Sequence, residues 1–168
     1  MKKLITASLI CLISACSTTI PDNSSNIEKN ISVEHDSFKN QTWIKTPLYL
    51  SRQGFTDTFP VKISYRALLK KGELKFIQLY VTSTSPTWGF YHSAKGEDGH
   101  SFSFNKIDSI VNSELSVSTT EHFGLTIPLS YLQKMGQKDW KIKVYGKRNE
   151  GVFVVPNSLS QAFLNKLK

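Results

Sequence analysis

The sequence predicts a mainly β domain, an antiparallel β-sandwich or open barrel of about seven strands with a C-terminal packing helix. Three observations carry that prediction. From Val61 to Leu69, Val61, Ile63, Tyr65, Ala67 and Leu69 share one face while Lys62, Ser64 and Arg66 take the other, and a period of two marks a half-buried strand. Turn signals recur at intervals of roughly 8–12 residues, the spacing of short antiparallel strands. Near the C-terminus the period changes: Leu159, Ala162, Phe163 and Leu167 recur at helical intervals and form one apolar stripe.

Residues 17–40 are rich in Ser, Asn, Thr and charge. They read as a flexible tether, with Ile31 and Val33 able to add an edge strand. About 24 flexible residues span roughly 25–30 Å. The folded domain is expected over residues 41–168. Residues 42–51 suit an edge strand or bend, because Pro47 cannot donate to a central ladder. Residues 54–60 read as a loop. Lys70-Lys71-Gly72-Glu73 supplies a turn that pairs Val61–Leu69 with a second strand, Leu74–Ser83, as a hairpin.

Residues 88–94 are strand-like and aromatic, and Lys95-Gly96-Glu97-Asp98-Gly99 is the strongest turn signal. His100–Val111 returns as a strand, residues 112–120 read as a loop with a short strand, and Glu121–Ile127 alternates again. A helical turn over Tyr131–Met135 is closed by Gly136. Trp140–Gly146 is a strand with Trp140, Ile142 and Val144 inward, and Val152–Val155 is a short one. Ser158 and Gln161 have capping-box spacing at the start of the last helix.

The N-terminus carries an address. Met1-Lys2-Lys3 is a positive n-region, Leu4–Ile13 an apolar h-region, and Ser14-Ala15 are small, the layout of a secretory signal peptide over residues 1–15. The apolar run is shorter than the roughly 17–25 residues a spanning helix needs. Ile13-Ser14-Ala15-Cys16 resembles the lipobox of bacterial lipoproteins. That resemblance implies diacylglycerol on the Cys16 thiol, cleavage before Cys16, and acylation of the new amino terminus with a chain such as palmitate. Ser17 after the cysteine implies sorting to the cell outer membrane, facing the periplasm. Two or more chains anchor stably, at about 0.8 kcal/mol per buried CH₂. Cys11, the other of the two cysteines, would leave with the signal peptide. No disulfide or thiolate chemistry then remains.

Loss of Lys2 and Lys3 leaves 19 Lys and Arg against 13 Asp and Glu, a formal +6. A basic surface attracts anionic material; an exported address points to envelope components or another envelope protein and away from nucleic acid. The mature chain has no G-x-S-x-G motif, no phosphate-cradling glycine loop, and only adjacent acids, Glu97-Asp98, in a turn. An enzyme is therefore not expected, and neither is a cofactor. His92, Asp98, His100 and His122 have the composition of a zinc site but match no ligand spacing, and are read as ordinary strand and turn residues.

The candidate site is an anion-binding patch of Lys141, Lys143, Tyr145, Lys147 and Arg148, joined by Lys62 and Arg66 if their strands are neighbours. The expected function is a non-catalytic binding or assembly module. The alternative is a carrier of lipid or a small apolar ligand, with Trp88, Phe90, Phe102 and Phe104 lining a pocket inside the sheet. Trp43, Trp88 and Trp140 read as core or cavity lining.

Overall fold

The computed structural model describes residues 19–51, 57–113 and 117–168. The signal-peptide stretch and Cys16 lie outside the described residues, as do parts of the expected loops over 54–60 and 112–120. The described elements are α1 (Ser24–Glu28), β1 (Ser32–Asp36), β2 (Gln41–Lys45), β3 (Tyr49–Ser51), β4 (Val61–Lys70), β5 (Glu73–Ser85), β6 (Tyr91–Gly96), β7 (Ser103–Asn112), β8 (Ser118–Thr126), α2 (Leu129–Met135), β9 (Trp140–Gly146), β10 (Glu150–Val155) and α3 (Asn157–Lys166). The fold is mainly β, as expected, and antiparallel.

Two sheets divide the strands. The larger has the order β1-β2-β4-β5-β8-β7, with β3 also on β4; the smaller is β10-β9-β6. Neither closes into a barrel. The strand count exceeds the expected seven partly because Pro47 splits one segment in two. β2 pairs with Arg66–Lys70 and β3 with Val61–Ile63, along the same edge of β4. Between them the Thr46 hydroxyl accepts the Tyr65 N–H at 2.9 Å, and the Ser64 hydroxyl donates to the Thr46 carbonyl at 2.7 Å.

The β4–β5 hairpin turns on Lys71 and Gly72, both at positive φ (54° and 80°), the geometry that matches strand twist in a two-residue turn. Val61, Ile63, Tyr65 and Ala67 of β4 face the core with Ile77, Leu79 and Val81 of β5 and Phe123 and Leu125 of β8. The smaller sheet covers this face with Trp140, Ile142, Val144, Phe153 and Val155. Helix α3 completes the cover. Phe163 stacks on Tyr65 at 5.0 Å, and Ser160 meets the Tyr65 hydroxyl at 3.3 Å and accepts the Trp140 indole N–H at 3.4 Å.

Two expectations are corrected. The tether over 16–40 is, from Thr19 onward, part of the folded body. Ile27 and Ile31 are buried, α1 packs on α3, and β1 pairs with β2 through its whole length. Ile27 is the one buried residue of α1, and Ile31 is buried between α1 and β1. The capping box is not made. Ser158 donates to the Pro21 carbonyl at 2.8 Å and Gln161 to the Gly136 carbonyl at 2.7 Å, while Asp139 accepts the first helical N–H, that of Asn157, at 2.8 Å. Around the turn at Gly96–Gly99 the chain makes a short antiparallel contact, Lys95 bridging Ser101, with the Gly96 N–H donating to the His100 carbonyl at 2.8 Å and the Phe102 N–H to the Ala94 carbonyl at 3.1 Å. Beyond that contact β6 and β7 part into different sheets.

Candidate functional site

β9 is the central strand of the smaller sheet, and its alternation turns Trp140, Ile142 and Val144 into the core, leaving Lys141, Lys143 and Tyr145 on the outer face. Lys95 of β6 stands opposite Lys143 in register, so it joins the basic face although its sequence position in a turn signal gave no hint. Lys143 is not a free cation: its ammonium pairs with Glu150 at 2.7 Å and lies 5.1 Å from the centre of the Tyr145 ring. The hydrogen bond to Glu150 raises its pKa above the ordinary lysine value. Lys141, Lys147 and Arg148 are exposed.

Lys62 and Arg66 do not join this patch. They lie on β4, on the outer face of the larger sheet. Arg66 donates from Nε to the Gln78 side-chain oxygen at 2.7 Å, again through a second guanidinium nitrogen, and stacks 4.9 Å from the Tyr80 ring centre.

The β9–β10 turn meets a second feature, the loop over 86–90. The Lys147 N–H donates to the Phe90 carbonyl at 3.3 Å and the Arg148 N–H to the Gly89 carbonyl at 3.1 Å. Gly146 permits the contact, since a Cβ there would lie 2.3 Å from the Gly89 oxygen. The Arg148 guanidinium sits 5.3 Å from the centre of the Phe90 ring, and Trp88 lies 6.2 Å from Phe90. Cation, ring and indole thus form one corner at the edge of the basic face.

Phe90 has φ of +53°, a left-handed conformation that is an outlier for a bulky side chain. What holds it is Glu121, only 5 % exposed at the inner side of β8. Its carboxylate accepts the N–H of Gly89 at 2.6 Å, of Phe90 at 3.2 Å and of Tyr91 at 3.3 Å. Three amide donors compensate the buried charge and over-determine the backbone. Strain of this kind persists only where the surroundings enforce it, and here it keeps Phe90 39 % exposed beside Arg148. Glu121 was legible only as a polar residue opening an alternating strand.

The aromatic residues expected around one pocket are divided. Trp88 and Phe90 stand on the outer loop. Phe102 is buried against Tyr131 and Trp140, and Phe104 stacks on Phe123 at 4.9 Å. Of the three tryptophans, Trp140 is wholly buried; Trp43 is half-buried beside Phe76, and Trp88 belongs to the corner.

The histidines are divided too. His35 meets Thr42 at 3.0 Å, His92 is exposed, and His100 stacks on Tyr131 at 4.3 Å. His122 Nδ1 lies 2.6 Å from the Tyr80 hydroxyl, in an open groove of about 430 Å³ on the larger sheet lined also by Leu48, Leu50, Lys62 and Thr82. Asp98 accepts the Tyr131 hydroxyl at 2.9 Å, and Lys134 lies 3.8 Å away. Burial works to raise the Asp98 pKa, but the Tyr131 hydroxyl, the His100 amide and Lys134 outweigh it and hold it below the usual value. Among the described residues no three His, Cys, Asp or Glu side chains converge as a metal site would require.

No family model matches the chain, and no match was found among curated proteins or solved structures.

Proposed function

We propose that this chain is a non-catalytic lipoprotein of the cell outer membrane, anchored through Cys16, that binds an anionic envelope component at the Trp88–Phe90–Arg148 corner and the basic face beside it. The observation that carries the reading is the left-handed Phe90, pinned by three amide bonds to Glu121 so that its ring stays outside the core. A large ring kept exposed against local strain is suited to contact, and Arg148 adds a planar cation able to take a carboxylate or phosphate through two N–H groups. Lys141, Lys147 and Lys95 supply the longer-range attraction.

Affinity capture of the acylated protein from its native envelope tests both halves. Cys16→Ala should leave the membrane fraction. Phe90→Asn and Lys141→Glu with Lys147→Glu should stay in it yet lose the anionic component retained by the parent protein. Unchanged capture by both surface variants sinks the binding reading, and unchanged membrane partition of Cys16→Ala sinks the anchor.

A further inference from the structure

The place where the folded body begins bears on how it meets the bilayer. Only Ser17 and Thr18 separate Cys16 from Thr19, and three Cα–Cα steps reach at most about 11 Å. Thr19 is tied down. It forms a parallel bridge to Leu50 of β3, Ile20 packs on the core, and the Pro21 carbonyl accepts the Ser158 hydroxyl. Leu50 in turn opens a row that crosses the larger sheet: Leu50 to Lys62, Lys62 to Thr82, Thr82 to His122. At about 4.8 Å per strand, His122 lies about 14 Å from Leu50. Glu121, its chain neighbour, holds the aromatic corner at that far end.

We infer that the short leash sets the β3 edge, with Leu48, Leu50 and Pro60 around Lys62, against the head groups of the anchoring bilayer, and holds the Trp88–Phe90–Arg148 corner clear of them. The inference rests on lipidation of Cys16. The occupant of this edge follows from where the leash ends. Leu48 is 40 % exposed and lines, with Leu50 and Pro60, the near end of the groove that reaches across the sheet to His122, an apolar rim suited to the head-group boundary, while Lys62 at that end offers a cation to lipid phosphate. The corner's anionic partner then lies on the aqueous side, in the periplasm, and is not the lipid leaflet that carries the anchor.

The test uses the full acylated protein in phosphatidylethanolamine–phosphatidylglycerol vesicles carrying a nickel-chelating lipid. Acylation occupies the Cys16 thiol, so Leu48→Cys, Thr19→Cys and Lys147→Cys each present one thiol for a nitroxide label. Nickel should enhance relaxation of the labels at 48 and 19 several-fold more than at 147. Ten Gly/Ser residues inserted after Thr18 lengthen the leash to a span of roughly 20 Å and should erase the difference. Equal enhancement at all three positions without the insertion, or a difference that survives it, overturns the inference. Protein that fails to co-float with the vesicles overturns the lipidation itself, a separate outcome.

Discussion

The Glu121 carboxylate takes the Gly89 N–H at 2.6 Å, and through that bond a strand in the larger sheet governs the shape of a surface loop. The same carboxylate reaches Phe90 and Tyr91. One buried acid therefore decides which way the Phe90 ring points.

Replacing Glu121 with Ala should leave those amides without their acceptor. Losing charge-assisted bonds in a buried setting costs about 2–4 kcal/mol. Equilibrium urea unfolding reads it as a fall in the midpoint at constant slope. Glu121→Gln, which keeps one acceptor oxygen, should lose less. A midpoint unmoved by Glu121→Ala would contradict this account of the loop.

Phe90→Asn separates strain from function. Asparagine tolerates the left-handed region far better than a bulky side chain, so stability should hold or rise by up to about 1 kcal/mol. Retention of anionic envelope material should fall at the same time. A clear loss of stability would show that the ring supports the fold.

Ile27→Ala asks whether the N-terminal stretch belongs to the body. Ile27 is fully buried against α3, and truncating a buried isoleucine costs about 2–5 kcal/mol. In a flexible tether the same change would cost nothing. Thermal and urea unfolding of the mature protein discriminate the two.

The basic residues should not contribute equally. Lys143 is already paired with Glu150, so Lys143→Ala should change binding of anionic polymer little. Lys141→Glu with Lys147→Glu should weaken it about tenfold or more at low salt, an effect that fades as added salt screens exposed charges. Titration in two salt concentrations gives the comparison.

Asp98 should report acid. Its pKa is depressed in the folded protein, so the stability it contributes is complete above its unfolded value of about 4 and is lost as pH falls through the depressed one. Tyr131→Phe removes the hydroxyl donor and should move the Asp98 carboxyl pKa upward, measured by NMR titration of the side-chain carbon.

Much of the architecture was legible because alternation is a local signal. Val61, Ile63, Tyr65 and Ala67 face the core as their spacing requires, and Lys71-Gly72 turns the hairpin. The basic face was legible for the same reason, since Lys141, Lys143 and Tyr145 fall on the odd side of β9. Residues whose roles depend on distant partners were not. Nothing near Ser158 and Gln161 signals that their side chains serve Pro21 and Gly136 instead of their own helix end. Nothing near Glu121 signals the loop some thirty residues earlier that it holds. Lys62 and Arg66 looked like companions of Lys141 because outwardness is readable from alternation, whereas sheet membership is not.

By itself, the sequence determined the β character, the hairpin, the last helix and the outward direction of the basic residues, all consequences of periodicity and turn chemistry within a few residues. Only the tertiary structure decided that the N-terminal stretch is folded from Thr19, that β6 and β7 part into different sheets, and that Trp88, Phe90 and Arg148 meet at one corner. Those outcomes depend on contacts between residues far apart in the chain, and such contacts leave no periodic trace.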